Sequence, residues 1–570
     1  MGTVDRKPYL TSTVLDQDFL DQSQDNLENK LEMIADIETP SGFIRASDRN
    51  KYVGGTFYEA LMKFPVITRT IGDWLSPTIE FSNLTLIVSN VDGRFNNLLP
   101  EGADFNGWIG KDVDVSLGLR EVSSTYRAIY KGKVTDVGGF QRDRKSITVI
   151  SRDEFDQVNQ TFPTTALLVS DFPDLDDQLA NTTLPVIYGD WETDATTLSP
   201  IGASVPAYPV NGKNANVIAG TTDVRCYISQ FDNSSLDDAN VYLVRSGASY
   251  KFASSDITIV SGNRVIDIKQ STITLEDGNS WVYKNGDTFF VRVKGKDLGS
   301  YSDNIVWQAR DILITHGGLV SGDFNANWAT FRDKSSPSNS AISTFKSRVW
   351  VQDDQGCVEY TLSMLEQVRL EYFVDNDRKF KMNSLHFDEM PALNDIDFTI
   401  KNWDIAEGSF QPKLDDRNVW NRARADYNFD PALNGESRQT AIFKNQAAIT
   451  QAGKAISKTV VFPNLYVEST VELQIKEMLK LASAYTEFIN CDLTWRSVLR
   501  DLGDFVKFDI DFSSTKYTNV PGMIRKIGYD PNGIKIPVEI WSFQMTPYDN
   551  YNPGYDGTVG GFNATITKET

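Results

Sequence analysis

The chain has 570 residues, of which 40% are hydrophobic and 23% charged. That is an ordinary globular composition, and at this length several domains are expected rather than one core. A formal charge of −21 argues against general affinity for nucleic-acid phosphates, because an acidic surface repels them unless a basic patch forms in the fold.

No Lys/Arg run marks such a patch. The densest clusters, Arg142-Asp143-Arg144-Lys145 and Asp377-Arg378-Lys379, are short and fall at predicted turns. Solvated hairpin tips account for both. Cys226, Cys357 and Cys491 lie far apart. An odd count excludes a fully paired disulfide framework, and buried free thiols in a chain folded in a reducing cytoplasm are the simplest reading. The opening residues, MGTVDRKPYLTSTVLDQDF, lack the apolar stretch of a signal peptide, and no run approaches a membrane span.

In chain order, Gln24 to Ala35 reads as a polar helix, followed by strands and a Gly-Gly turn in ETPSGFIRASDRNKYVGGTFY. From Pro65 the β pattern becomes firm. Leu84, Leu86 and Val88 alternate with Asn83, Thr85 and Ser89, so one face of a strand is apolar. More strands follow at Val113–Leu117, Arg127–Tyr130, Lys133–Val137 and Ser146–Ser151. Short strands at this spacing predict a small barrel or sandwich. Residues 166–215 are rich in loops, and 224–297 return to short strands.

Ser302 is the expected cap of a helix carrying Ile305, Ala309, Ile312 and Leu313, which Gly317-Gly318 ends. A second helix over 357–368 leads into a hairpin turning near Asn376-Asp377. Ser469-Thr470-Val471-Glu472 fits a capping box, and Val471, Ile475, Met478, Ala482 and Tyr485 then form a core-facing helical stripe. The Gly-, Asn- and Tyr-rich end reads as an extended arm.

Two distant pieces share a pattern. GKDVDVSLGL, GKVTDVGGF and SITVIS begin at Gly110, Gly132 and Ser146; GDFVKFDIDF, GMIRKIGYD and GIKIPVEIW begin at Gly503, Gly522 and Gly533. Val113, Val115 and Leu117 correspond to Val506, Phe508 and Ile510. Gly132, Val134, Val137 and Gly138 correspond to Gly522, Ile524, Ile527 and Gly528. The order and near-equal spacing favour duplication of one β-domain over chance.

The expected fold is therefore mainly β and multidomain: two related small β-barrel-like domains, a β-rich insert and an α+β domain. The divisions are 1–165 for the N-terminal segment and first barrel, 166–300 for the insert and 301–390 for the α+β domain. Residues 391–545 form the second barrel with its packing helix, and 546–570 an extended tail.

Catalytic chemistry is hard to find. His316 and His386 are the only histidines, no HExxH occurs, and no Gly-Lys pair precedes Ser or Thr as a phosphate loop needs. Helix capping or core packing suits both histidines better than catalysis. Acidic groups such as Asp174-Asp176-Asp177 do not have the ligand spacing of a calcium loop. Asn90-Val91-Asp92-Gly93 reads as an Asx turn. No catalytic, cofactor or metal residue is nominated.

The stretch EFSNLTLIVSNVDGRFNNLLP, then GWIGKDVDVSLGL, YKGKVTDVGGF and SITVISRDEFDQVN, resembles the N-terminal β-domain of bacteriophage tail hub proteins. LPVIYGDW at 184–191, the segment DNIVWQARDILITHGG with EYFVDNDRKFKM, and the closing LRDLGDFVKF with GMIRKIGYDPNGIKIPVEIW are similar to the same family. No appended lysozyme or peptidase domain is evident.

The resemblance implies a non-enzymatic virion protein, made in the bacterial host cytoplasm, that closes the distal end of the tail tube as a homotrimer. Six barrels from three chains would match the six-fold tube above and offer three-fold symmetry to a fibre, spike or other tail tip protein below. The partners implied are the tail tube or distal tail protein, with viral DNA passing through and not specifically bound. No cofactor and no membrane insertion are implied. Carboxylates lining such a channel would repel DNA. The alternatives are a β-rich carbohydrate-active enzyme or depolymerase, and a surface-layer or adhesin-like array protein. The nominated interface residues are Asp92, Arg94, Phe95 and Asn97 on one loop, and Arg496, Arg500 and Asp501 on another.

Overall fold

A computed structural model describes residues 31–569 except 74–75, 81–82, 100–101, 103, 105–106, 120–125, 139–144, 193–200, 215–222, 334–345, 387–390, 392, 416–418, 434, 484–485, 495–496, 498–499, 513–514, 531–534 and 543–565. The chain is mainly β. Its first ten strands are Leu31–Thr39 (β1), Gly42–Ser47 (β2), Lys51–Val53 (β3), Thr56–Ala60 (β4), Ile67–Asp73 (β5), Ser76–Glu80 (β6), Asn83–Ser89 (β7), Asp112–Leu119 (β8), Arg127–Gly138 (β9) and Ser146–Asp153 (β10).

Eight of them form the first barrel sheet, in the order β3-β4-β2-β1-β8-β9-β10-β7. Leu84, Leu86 and Val88 of β7 face its core, as their alternation requires. Residues 31–35, expected to be helical, are strand. Met33, Ala35 and Ile37 recur every second residue and are buried, a period that only an extended backbone can place on one face. The remainder of the expected helix lies outside the described residues.

The α+β section contains helices Ile305–Thr315 (α1), Asn327–Asp333 (α2) and Cys357–Glu366 (α3), with the hairpin Leu370–Val374 (β11) and Phe380–Ser384 (β12). Asn304, not Ser302, caps α1: its side chain accepts from the Trp307 amide, while the Ser302 hydroxyl is engaged with the turn before it.

The second barrel sheet uses Thr399–Lys401 (β13), Gln411–Asp415 (β14), Thr486–Leu493 (β15), Phe505–Phe512 (β16), Thr515–Tyr529 (β17) and Ile536–Ser542 (β18), in the order β13-β16-β17-β18-β15-β14. It also takes in β5 and β6. β5 pairs antiparallel with the end of β17, from Thr70 opposite Lys526 to Ile67 opposite Tyr529. The hairpin that leads into the first barrel thus extends the second. One hydrophobic core runs through both, from Met33 to Ile540.

The internal echo is visible in three dimensions. Strand order β8-β9-β10-β7 matches β16-β17-β18-β15. The register of β8 on β9 shifts after Val115, and that of β16 on β17 after Phe508. Between β9 and β10 the extra residue is Thr135, and between β17 and β18 it is Arg525, the same place in the motif. The entry turns agree bond for bond. Gly110 N donates to Val134 O and Val134 N to Lys111 O, as Gly503 N donates to Ile524 O and Ile524 N to Asp504 O. Gly110 and Gly503 both adopt positive φ, +84° and +72°, which glycine takes without Cβ strain. Matching bulges are specific features of a strand pair, and chance similarity of alternating strands does not produce them.

Residues 420–482, read with the second barrel, add no described strand to its sheet. They belong to a separate five-stranded sheet with helix Glu468–Ala482 (α4), whose core is shared with the α+β section. Val471, Ile475, Met478 and Ala482 are buried there, and Tyr485 lies outside the described residues. The capping box does not form. Val467 is the N-cap without a side-chain bond, Ser469 lies inside the helix, and Glu472 pairs with Lys568 at 3.0 Å. That lysine belongs to Ile566–Lys568, a strand that pairs with Phe443–Asn445, so the end of the expected arm returns to this sheet. The β-rich insert is a seven-stranded sheet with its own core around Trp191, Trp281 and Phe289.

Candidate interface and the clasp between the barrels

The loop after β7 is built on Asn90, which is buried. Its Oδ1 accepts from the Phe95 amide at 2.9 Å and its Nδ2 donates to Asn96 Oδ1 at 3.0 Å. Asp92, Arg94 and Asn97 are exposed on it and Phe95 is half-buried. Arg94 donates to Glu59 of β4 at 2.9 Å, lies 3.3 Å from Asp92 and stacks over Phe95 at 4.9 Å. The hydrogen bond to Glu59 holds its guanidinium above the usual range, against partial burial. This loop is a preformed, exposed surface.

The second nominated loop is different. Arg496 lies outside the described residues. Arg500 is half-buried, sits over Phe398 at 4.7 Å, and lines a cavity of about 90 Å³ with Lys381 and Asp504. Asp501, expected at the surface, is fully buried. Its Oδ1 accepts from Arg69 of β5 at 2.8 Å and from the Leu502 amide at 2.8 Å, and its Oδ2 accepts from the Asn376 amide at 2.6 Å. Arg69 also donates to Val374 O at 3.1 Å and lies 3.3 Å from the Tyr529 hydroxyl. Burial works to lower the Arg69 pKa, but the Asp501 charge and Tyr529 outweigh it and raise the value.

This clasp contains residues that sequence reasoning missed. The turn from Asp375 to Lys379 between β11 and β12 is wedged between the barrels. On one side Asn376 meets Arg69 and Asp501. On the other Arg378 donates to Asp153 at 2.6 Å, Glu154 at 3.1 Å and Lys131 O at 3.3 Å, all in the first barrel. The solvated tip expected for Asp377-Arg378-Lys379 is corrected at Arg378, whose side chain is 8% exposed. Positive φ at Arg378, +58°, turns it inward. The other cluster, Arg142 to Arg144, lies outside the described residues.

Asp375 organises the turn. Its carboxylate accepts from the Asp377 and Lys379 amides at 3.0 and 2.9 Å and from Asn325 at 2.9 Å. Burial and the neighbouring Asp501 push its pKa up to about 6, despite the Lys379 amide, Asn325 and Lys381.

The bulge residue of the second barrel, Arg525, makes a buried two-bond pair with Glu371 of β11 at 2.6 and 2.8 Å and also reaches Gly72 O. Its counterpart Thr135 is exposed. The duplicated units therefore share a frame but differ in what docks on them.

His316 ends α1 and stacks on Phe162 at 4.9 Å, and burial with Lys296 nearby lowers its pKa to about 4. His386 is buried with Nε2 2.8 Å from Val368 O. All three cysteines are buried and free. Among the described residues no group of three or more His, Cys, Asp or Glu is placed to hold a metal ion, and no helix is long and apolar enough to cross a membrane.

No family model and no curated protein matches the chain. Solved structures do match. A tail protein from Neisseria meningitidis aligns over 94% of this chain and 99% of its own, with 8% identity and a TM-score of 0.40. The chain is similar to solved tail proteins. A 43 kDa tail protein of prophage MuSo2 from Shewanella oneidensis aligns over 90% of this chain and 98% of its own, with 10% identity and a TM-score of 0.38. A chain of the native gene transfer agent virion aligns over 65% of this chain and 87% of its own, with 11% identity and a TM-score of 0.35.

Proposed function

We propose that this chain is a structural virion protein, the hub at the distal end of a bacteriophage tail tube, working as a homotrimeric ring. The observation that carries the reading is the duplicated barrel, with the same strand order, bulges and entry turn twice in one chain and a single core between the copies. Three such chains related by a three-fold axis present six similar modules, and a ring of six meets a six-fold tube. The unequal attachments follow from the same frame. Arg525 of the second barrel holds Glu371 of the α+β section, whereas its counterpart Thr135 of the first barrel is exposed, so the six modules are unequal and the face away from the tube keeps three-fold symmetry for a fibre, spike or other tip protein.

In this role the protein needs no catalytic centre, and viral DNA passes through without specific binding. The net charge of −21 suits a channel that repels phosphates. The test is the mass of the purified 63.9 kDa chain and its position in assembled particles. A trimer coaxial with the tube is expected. Hydrolysis of polysaccharide by a free monomer would overturn the reading.

A further inference from the structure

A groove of about 320 Å³ opens where the insert, α3 and the sheet of residues 420–482 meet. Trp350, Tyr360 and Phe429 supply its apolar surface, and Asp353, Gln355 and Glu359 line it beside them. Among the described residues no lysine or arginine lines it. The hub reading gives this groove no task.

Each aromatic is placed by a local feature. Trp350 is the outward residue of the short strand Val349–Val351, between two buried valines, and packs partly on the core of the insert. Tyr360 lies in the first turn of α3, whose start is held by Asn159, which accepts from the Val358 amide at 3.1 Å. Its ring stands edge-on to Phe162 at 5.5 Å, and its hydroxyl accepts from Asn464 at 3.2 Å. Phe429 sits at a bulge. The register of the strand Arg422–Asp430 on Glu436–Gln439 shifts between Tyr427 and Asp430. Within that bulge Asn428 has a φ of +61°, a left-handed conformation that asparagine adopts at modest cost, and its buried side chain bonds Arg348. Bulges re-aim side chains, and this one leaves Phe429 38% exposed. A sparsely populated backbone conformation and an exposed phenylalanine both cost stability, and the two together point to a surface kept for contact.

The lining selects a ligand. Asp353, Gln355 and Glu359 are exposed, and Ser363 follows Glu359 one turn along α3. Flat aromatic surfaces pack on the C–H faces of a sugar ring, while carboxylates and amides bond its hydroxyls. Two carboxylates with no cation beside them in the lining repel phosphates and acidic sugars. The lining also lacks an aliphatic pocket for a peptide side chain: Val351, its one aliphatic residue among those described, is 5% exposed.

We propose that this groove binds a neutral glycan, with Phe429, Trp350 and Tyr360 as the stacking surface and Asp353 and Glu359 as hydroxyl acceptors. Cleavage is not part of the proposal. Hydrolysis needs a carboxyl sheltered from water to act as the acid, and both carboxylates here are exposed. The site stands apart from the ring reading, since it requires neither three copies nor a tube.

The test is calorimetric titration of the full chain with cellohexaose, maltohexaose and N-acetylchitohexaose, and with oligogalacturonate and spermine as acidic and cationic probes. At least one neutral glycan should bind with a dissociation constant of about 1 mM or below. Phe429→Ala should weaken that binding about tenfold. Trp403→Ala, at a 64% exposed tryptophan just beyond β13, should leave it unchanged. Circular dichroism checks that the variants fold, and the pair Asp353→Asn with Glu359→Gln, both at exposed positions, should weaken binding as well. Amide exchange at residues 350–355 and 428–430 should slow when the glycan is bound. No binding of any of the three glycans up to about 10 mM overturns the proposal. So does binding that Phe429→Ala and the carboxylate pair leave unchanged, or binding of oligogalacturonate or spermine as tight as that of the glycan. New reducing ends in the titrated glycan overturn binding without cleavage.

Discussion

Replacing Arg378 with alanine isolates the wedge between the barrels. Arg378 and Asp153 are 8% and 6% exposed and 2.6 Å apart, so removing the arginine strands a buried carboxylate. Breaking such a pair costs about 3–5 kcal/mol. Asp153 keeps the Phe155 amide as a donor at 3.0 Å, which places the cost toward the lower end. Glu154 is 34% exposed and its pairing adds under about 1 kcal/mol. The expected loss is about 3 kcal/mol. Alanine keeps the strain of φ +58°, whereas glycine relieves roughly 1 kcal/mol of it, so Arg378→Gly should be the milder change. Urea unfolding followed by tryptophan fluorescence measures each variant, and a cycle with Asp153→Ala isolates the coupling. A loss under about 0.5 kcal/mol, or strict additivity with Asp153→Ala, would refute the wedge.

Arg525→Met should cost about 3–5 kcal/mol because Glu371 is left buried and charged, and adding Glu371→Leu should recover much of it, measured by the same unfolding assay. Asp375 has a folded pKa raised to about 6, above its unfolded value, so the folded state binds the extra proton. Its contribution to stability therefore rises as pH falls from about 6 toward about 4. Asp375→Asn should remove that rise from a stability–pH profile; an identical profile contradicts the assignment. Burial raises the thiols, to about 12 for Cys357 and Cys491, so a thiol reagent should label none of the three until the chain unfolds. Arg94→Glu should cost under about 1 kcal/mol of stability, since its pair with Glu59 is surface-exposed, while weakening assembly if the loop is an interface. Unchanged particle yield would remove that loop from the contact surface.

Much of the fold could be read from local pattern. Alternation located β7, β8 and β16, because a half-buried strand repeats every two residues, and the turn near Asn376-Asp377 located the hairpin β11–β12, whose strands are buried on both faces. The echo between residues 110–151 and 503–541 was legible because duplicated strands keep their glycines and apolar positions. What escaped depends on partners far away in sequence. Nothing near Ile67 tells that β5 will pair with Tyr529. Asp501 looked like a surface charge because its partner, Arg69, lies 432 positions away. Ser469 and Glu472 satisfied a capping pattern, yet the helix starts one residue before Ser469 and Glu472 turns to Lys568. The start of β1 was misread because polar neighbours masked a period of two.

The central claim is that one chain supplies two equivalent modules to a six-membered ring. Imaging the assembled particle along the tail axis tests it most directly. Three copies coaxial with the tube, with both barrels at the same radius and about 60° apart, are the expected result. A single copy, a six-fold ring of whole chains, or barrels at different radii would contradict it.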